Sequence, residues 1–425
     1  MPSPSTPRVL ALLLAACLPF GAQAQERPLA GVRLNVASQN DQFSGPLVRL
    51  APRFEEETGI AVTVEVLSYP ELLTKVTADF VGNTQGYDVV TMDNVWSGQF
   101  AEAGHSVELN ALIERDRNEI DVDDIYPVLM SSLGNYRGRQ VAFPFAGYAN
   151  VLAYRTDLYE AAGLAPPETM GQLIEAAKQL TNRTQNQYGW VANGQRGPAV
   201  AQDWMQYNAQ LGGSILDMDG RPALNSDANV QSLRLYKELF DTPAPPGAVE
   251  FDWGGREESF RQGLVANMQT WSVGAAGYDD PAQSKIVGRN AVIVAPVAEG
   301  MEPTYGVGGW GLAINADIGE RQEQAAWEYI KWVTSPAIQK EIAQMGGGGY
   351  LRRSTVADPE LNRQFRFLPV IHESFEHGNG EFRPRIPQYP EIQDILGTAI
   401  NAVLAGGADA RQALDEAQER ALALF

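Results

Sequence analysis

Cysteine and histidine are scarce in this sequence. Cys17 is the only cysteine among 425 residues, and there are three histidines. Cys17 lies inside an apolar N-terminal segment, so the chain beyond that segment has no thiol at all. Disulfides, a thiol nucleophile and cysteine-type zinc sites are therefore excluded there. With so few histidines and no G-x-S-x-G motif, a Ser-His-Asp hydrolase is also poorly supported.

Positive charge is also in short supply. The chain has 32 Lys and Arg against 52 Asp and Glu, which gives a formal net charge of -20. Nucleic acids and anionic membranes both require a basic surface, so neither is an expected partner. Beyond the N-terminal segment, no stretch of about 18 apolar residues occurs that could span a bilayer.

The N-terminus has the layout of a secretory signal peptide. Arg8 precedes an apolar run from Val9 to Phe20, and Ala22-Gln23-Ala24 is a small-x-small cleavage site. We expect residues 1–24 to be removed and the mature protein to be exported. An alternative is lipidation at Cys17, because Leu14-Ala15-Ala16-Cys17 resembles a lipobox. The apolar run continues past Cys17, which favours cleavage after Ala24.

Strand and helix patterns alternate from residue 32 onward. GVRLNVAS, IAVTVEVL and GYDVVTM predict strands, and the segments 46–57 and 69–81 predict the helices between them. This alternation indicates an α/β fold with parallel strands. Ligands bind beyond the carboxyl ends of such strands, so Asn40-Asp41, Tyr69 and Asp93-Asn94-Trp96 are expected at one edge. The segment 141–155 predicts two further strands around a turn.

Three stretches resemble motifs of catalysis or metal binding without meeting their requirements. Gly306–Gly311 fits G-x-G-x-x-G, but an apolar strand follows it instead of a helix, and Trp310 would crowd a pyrophosphate. His372 and His377 are five residues apart, which places them ~140° apart around a helix, unlike the zincin spacing. Asp217–Gly220 begins like an EF-hand, but its glycine comes too early, and a hairpin turn is the better interpretation. We therefore predict no catalytic residues, cofactor or metal site.

Aromatic residues next to polar ones give the most informative signal. Four of the eight tryptophans, Trp96, Trp204, Trp271 and Trp310, lie at predicted strand ends or helix starts near Asp, Asn, Tyr or Gly. Indole faces pack against the C–H faces of sugars and polyols, while Asp and Asn bind their hydroxyls. This combination predicts carbohydrate binding without catalysis.

Several stretches resemble the periplasmic substrate-binding proteins of ABC importers, in the large extracellular family 1 of maltose-, trehalose- and polyol-binding proteins. They are GYDVVTMDNVWSGQFAEAGHSVELNALI, VAFPFAGYANVLAYRTDLYEAAGLAPPETMGQL, FRQGLVANMQTW, DDPAQSKIVG with PVAEG, and GGWGLAIN followed by AAWEYIKWVTSPAIQKEIAQMGGGGYLRRS. The resemblance covers residues 32–425 and depends on the order and spacing of these segments.

The resemblance implies two α/β lobes that enclose a ligand cleft and close by hinge motion. The implied lobes are 31–143 with 308–345, and 144–307 with 346–425. The implied crossovers lie near 142–146, 305–309 and 346–351. The implied ligand-binding residues are Asn40, Asp41, Asp93, Asn94, Trp96, Tyr148, Trp204, Trp271, Trp310, Tyr350 and Arg352, with Arg353 as an alternative to the last.

The expected function is therefore a monomeric periplasmic receptor that delivers a small carbohydrate or sugar alcohol to an ABC permease. Two alternatives remain open at this point: a secreted carbohydrate-active enzyme, and a binding protein for another small osmolyte. An anionic ligand would require a cluster of cleft cations, for which only Arg352 and Arg353 are candidates.

Overall fold

The structure is a computed structural model that describes Met1 and residues 27–425. The cleavage site after Ala24 and the lipobox cysteine, Cys17, lie outside the described residues. The strands are β1 Arg33–Gln39, β2 Ala61–Leu67, β3 Val89–Asp93, β4 Asn135–Tyr136, β5 Arg139–Gln140, β6 Phe143–Tyr154, β7 Asn267–Trp271, β8 Ala291–Val294, β9 Tyr305–Ile314 and β10 Gly378–Asn379.

Helices pack around these strands, and 3-10 turns directly follow β3 and β7. The helices are α1 Ser44–Thr58, α2 Tyr69–Gly82, α3 Ser97–Ala103, α4 Asn110–Arg115, α5 Arg117–Ile120, α6 Pro127–Ser132, α7 Thr156–Ala162, α8 Met170–Gln179, α9 Pro198–Gln210, α10 Asp227–Asp241, α11 Trp253–Arg261, α12 Glu320–Val333, α13 Pro336–Gln344, α14 Arg353–Val356, α15 Pro359–Gln364, α16 Leu368–Glu376, α17 Tyr389–Leu404 and α18 Ala410–Leu422.

The main sheet connects two lobes. Its strand order is β2-β1-β3-β9-β6-β7, with β8 paired to β6 and β10 to β9. β1 is parallel to both β2 and β3, as the alternating pattern predicts. β9 pairs antiparallel with both β3 and β6, and β7 pairs antiparallel with β6. The fold is thus the two-lobed α/β architecture, and β6 and β9 run through the middle of it.

β6 differs from its prediction. The sequence predicts two strands around a turn, whereas β6 is one strand of 12 residues, all of them buried. It pairs with β9 along its first half and with β7 and β8 along its second, so neighbours hold it extended throughout. The register against β9 shifts between Pro144 and Ala146. Proline has no N–H for the ladder, which accounts for a local irregularity there.

Local sequence signals position the first two helices. Gly59 ends α1 in the left-handed conformation, which glycine adopts without steric cost. Ser68 begins α2 with a capping box, in which the Ser68 backbone N–H donates to the Glu71 carboxylate. Both helices bury their apolar faces, including Phe54 and Phe80, against the sheet core. Within the described residues, no helix is long and apolar enough to cross a membrane.

Candidate functional site

A cavity of about 780 Å³ lies at the carboxyl ends of β1, β3 and β7. This is the edge at which ligands of α/β sheets bind. Six of the predicted ligand-binding residues line it: Asn40, Asp41, Asp93, Tyr148, Trp271 and Trp310. Further lining residues come from both lobes and include Tyr69, Gln195, Gln202, Trp253, Arg256, Glu257, Arg261 and Arg383.

Asp41 is a cavity carboxylate whose pKa is raised by its surroundings. The Tyr148 hydroxyl donates to Asp41 Oδ2 at 2.8 Å, and the Gln42 backbone N–H donates to Oδ1 at 2.8 Å. Burial nonetheless raises the pKa of Asp41 from 3.8 to about 6, because these donors and the Trp310 indole only partly offset desolvation. Near neutral pH the side chain is thus an ionised acceptor, held in place and facing the cavity.

Asp93 is held by two protein donors. The Tyr69 hydroxyl donates to Asp93 Oδ2 at 2.9 Å, and both terminal nitrogens of Arg383 approach its oxygens at 3.4 Å. Burial, followed by the charge of Asp93, raises the pKa of Tyr69 well above 10, so the phenol stays a donor. A hydrogen-bonded polar cluster thus lies at the carboxyl end of β3 and consists of Asp93, Tyr69 and Arg383.

Aromatic rings form the apolar surfaces of the cavity. Tyr69 contacts Trp253 with ring centroids 5.9 Å apart, and Trp310 with centroids 6.0 Å apart. The Trp271 ring lies 6.4 Å from the Tyr148 ring and 5.1 Å from the Arg383 guanidinium. Such flat faces beside hydroxyl, carboxylate and guanidinium groups suit a ligand with C–H faces and many hydroxyls.

A buried ion pair supports the wall formed by α11. Arg256 Nη1 donates to both oxygens of Asp203, at 2.9 and 2.8 Å, and both side chains are almost completely buried. Burial raises the pKa of Asp203, although Arg256 opposes the shift. The neighbouring Glu257 faces the cavity and accepts from Thr270 at 2.5 Å and from Tyr278 at 2.8 Å. The polar groups of this wall are thus fixed before any ligand arrives.

Two residues predicted from the third strand tip lie in the core instead of lining the cavity. Asn94 and Trp96 form a 3-10 turn that bends inward, and they are 0% and 2% exposed. Asn94 Oδ1 accepts from Arg383 Nη2 at 2.7 Å. Trp96 stacks on Phe100 and makes a T-shaped contact with Trp310. Their role is to support the residues that face the cavity.

Trp204, Tyr350 and Arg352 are also placed outside the cavity lining. Trp204 and Tyr350 are completely or almost completely buried in the core. The Arg352 guanidinium is fully buried and donates to the Thr334 carbonyl at 2.6 Å and the Ile120 carbonyl at 2.7 Å. Because these carbonyls occupy its donors, Arg352 connects separate chain segments, and it does not line the cavity.

Sequence reasoning missed several residues of the cavity. Trp253 begins α11 directly after Asp252, whose side chain caps that helix, and this cap could have marked it. Arg383 carried no such signal, because it lies in irregular chain 290 residues from Asp93, its partner. The near-zincin histidines do not face the cavity either, and His372 instead contacts the Tyr126 hydroxyl. Among the described residues, no cluster of three or more His, Cys, Asp or Glu could hold a metal ion.

Comparison with known proteins identifies the family of this chain. The family model described as bacterial extracellular solute-binding protein matches residues 39–340. The chain belongs to this family. A mannitol-binding protein of Pseudomonas aeruginosa is 27% identical, with 97% of this chain and 96% of the relative covered. A Sinorhizobium fredii relative, 23% identical over 97% of this chain and 92% of its own length, is named "probable amino-acid ABC transporter periplasmic-binding protein".

One solved structure shares far more of the sequence than these two relatives do. An ABC transporter solute-binding protein from Agrobacterium radiobacter K84, in complex with ribitol, is 60% identical to this family member. The match has a TM-score of 0.91 and covers 93% of this chain and 100% of that one. The cavity therefore belongs to a two-lobed solute-binding protein.

Proposed function

We propose that the protein is the receptor of an ABC importer and that it binds an acyclic sugar alcohol such as ribitol in the 780 Å³ cavity. One observation carries this proposal. Fixed hydrogen-bonding groups, above all Asp41 with Tyr148, face the same space as the rings of Trp253, Trp271 and Trp310. The ribitol complex of the 60% identical protein supports the same ligand class.

A polyol would satisfy both kinds of surface at once. Its hydroxyls donate to the carboxylates of Asp41 and Glu257 and accept from Arg383, and its C–H faces pack on indole rings. Because Asp41 and Glu257 are already held by protein hydroxyls, little side-chain freedom is lost on binding. This use of the carboxylates includes no catalytic step.

The proposal also covers how the ligand is delivered to the permease and where in the cell the protein is located. We infer that the lobes are 31–143 with 308–345 and 144–307 with 346–425, that they close around the ligand, and that the closed monomer docks on the permease. Support for the hinge comes from β6 and β9, since the expected crossovers 142–146 and 305–309 include their first residues. We further propose export to the periplasm by the N-terminal signal peptide, since relatives bear periplasmic names.

A thermal-shift screen of the mature chain tests the ligand class. Ribitol, D-mannitol, erythritol, maltose and a panel of amino acids are compared, with calorimetry for any ligand that raises the melting temperature. A ligand at 100 times its Kd stabilises the folded state by about 2.7 kcal/mol. We expect ribitol to give the largest shift. A shift with an amino acid and none with any polyol would refute the proposal.

A further inference from the structure

The chain between α16 and α17, residues 377–388, passes between the two lobes. Near its start, Gly378 and Asn379 form β10 and pair with Tyr305 and Gly306 at the start of β9. Its last residue precedes α17, which packs against α9 in the second lobe. The middle of the segment, residues 380–386, lies against the first lobe and forms what we call the partition loop.

Arg385 attaches the partition loop to the first lobe. Its guanidinium donates to the Ser131 carbonyl at 2.6 Å and the Ser132 carbonyl at 3.3 Å. These residues end α6, where carbonyls lack helix partners and a cation is favoured. At Gly98 in α3, any Cβ would collide with the Arg385 carbonyl oxygen, so glycine permits the close contact. Hydrogen bonds and close packing therefore hold the loop against the first lobe.

Arg383 connects the partition loop to both lobes. Its guanidinium contacts Asp93 and Asn94 on one side and lies 5.1 Å from the Trp271 ring on the other. It is 2% exposed, and its Nε finds no acceptor among the residues that the structure describes. A Cβ on Gly308 of β9 would collide with its terminal nitrogen, so that strand too leaves room for it.

The partition loop separates two cavities. Arg383 lines the 780 Å³ cavity at the strand ends. Its neighbours Glu381, Phe382, Pro384 and Arg385 line a second cavity of about 580 Å³, on the other side of the loop. The far walls of the second cavity come from both lobes, namely Tyr136 and Arg137 of the first and Met205 and Asn208 of the second.

We propose that the partition loop is the end wall of the ligand cavity, with Arg383 and Phe382 as residues that determine specificity by limiting ligand length. Both cavities lie between the lobes, so without the loop they would form one long groove. A short polyol ends against the Arg383 guanidinium, whereas a longer chain would have to enter the space that Arg383 and Phe382 occupy. This inference deepens the proposed function and rests on it.

A length series of alditols tests the wall: ribitol, maltitol, maltotriitol and maltotetraitol, measured by calorimetry. Wild-type protein should bind ribitol and reject maltotetraitol. The double variant Phe382→Ala/Arg383→Lys keeps a positive charge beside Asp93 and removes bulk from both faces of the wall. We expect it to lose about tenfold in ribitol affinity and to gain measurable binding of maltotriitol or maltotetraitol.

Arg411→Met serves as a matched control, because Arg411 is ion-paired with Asp227 and lines neither cavity. Its alditol profile should equal that of the wild type. The wall is refuted if wild-type protein binds maltotetraitol as tightly as ribitol, or if the folded double variant keeps the wild-type profile. Failure of the wild type to bind any alditol refutes the polyol proposal instead. If the double variant does not fold, the wild-type series alone decides. An abrupt loss of affinity beyond one ligand length supports the wall, and a gradual loss with length refutes it.

Discussion

Replacing Asp41 with asparagine should stabilise the unliganded protein and weaken ligand binding. Burial raises the pKa of this carboxyl from 3.8 to about 6, so the folded state binds its proton more tightly than the unfolded chain does. Ionisation of Asp41 therefore lowers the free energy of unfolding. This loss of stability is absent well below pH 3.8, grows as the pH rises to about 6, and is constant at higher pH. Asparagine removes the charge, while its amide oxygen can accept from the Gln42 backbone N–H and its amide N–H can donate to the Tyr148 phenol oxygen.

The size of the effect follows from the shift. An increase from 3.8 to about 6 corresponds to about 3 kcal/mol, and solvent in the cavity that Asp41 faces reduces this to about 1–3 kcal/mol. For a chain of this length, that range raises the melting temperature by about 1–4 °C at pH 8. At pH 4.5 the gain should fall to about 1 kcal/mol or less, because wild-type Asp41 is then mostly protonated when folded.

Thermal denaturation of ligand-free protein at pH 8 and pH 4.5 measures the effect, and calorimetry with ribitol measures the functional loss. Losing a charged acceptor should weaken ribitol binding by about tenfold, or about 1.4 kcal/mol. Asp123→Asn is the control, since Asp123 is 85% exposed in a surface ion pair. A variant that is less stable than wild type at pH 8, or equally stabilised at both pH values, would show that Asp41 is not a strained buried charge.

Three further substitutions separate residues that face the ligand from those that support them. Trp96→Ala should cost about 3–5 kcal/mol of unfolding free energy in urea denaturation, because the indole is buried; a loss below about 1 kcal/mol would contradict this. Trp253→Ala should lower ribitol affinity about tenfold in calorimetry with less than about 1 kcal/mol lost in stability, since this ring is only partly buried at the cavity. Arg352→Met should cost about 2–4 kcal/mol by leaving buried carbonyls unpaired, and ribitol affinity should stay within about twofold; a selective loss of affinity would return Arg352 to the binding site.

Strand periodicity was enough to find the carboxyl ends of β1 and β3. Asn40, Asp41 and Asp93 lie in the cavity because parallel strands present their ends at one edge, whatever their order in the sheet. The same rule could not decide which way each side chain turns. Trp96 follows Asp93 closely in sequence, yet a 3-10 turn directs its ring into the core.

Contacts between distant segments could not be predicted. Arg383 lies in irregular chain, and nothing in its neighbourhood indicates that it pairs with Asp93. For Arg352, position after a crossover suggested a ligand contact, whereas backbone carbonyls from two other segments use its donors. β6 shows the same limit, since only its partners on both sides reveal one continuous strand.

The glycines of β9 restrict how such a receptor can diversify. Any side chain at Gly308 would collide with Arg383, and any at Gly309 with the Ala146 carbonyl of β6. A single change there would disturb the strand pairing between the lobes and the cavity together. New ligand preferences are therefore more accessible through substitution of side chains that line the cavities, such as Phe382 and Trp253. The glycine run would stay fixed during that divergence, and its similarity to a nucleotide fingerprint would persist in descendants that bind no nucleotide.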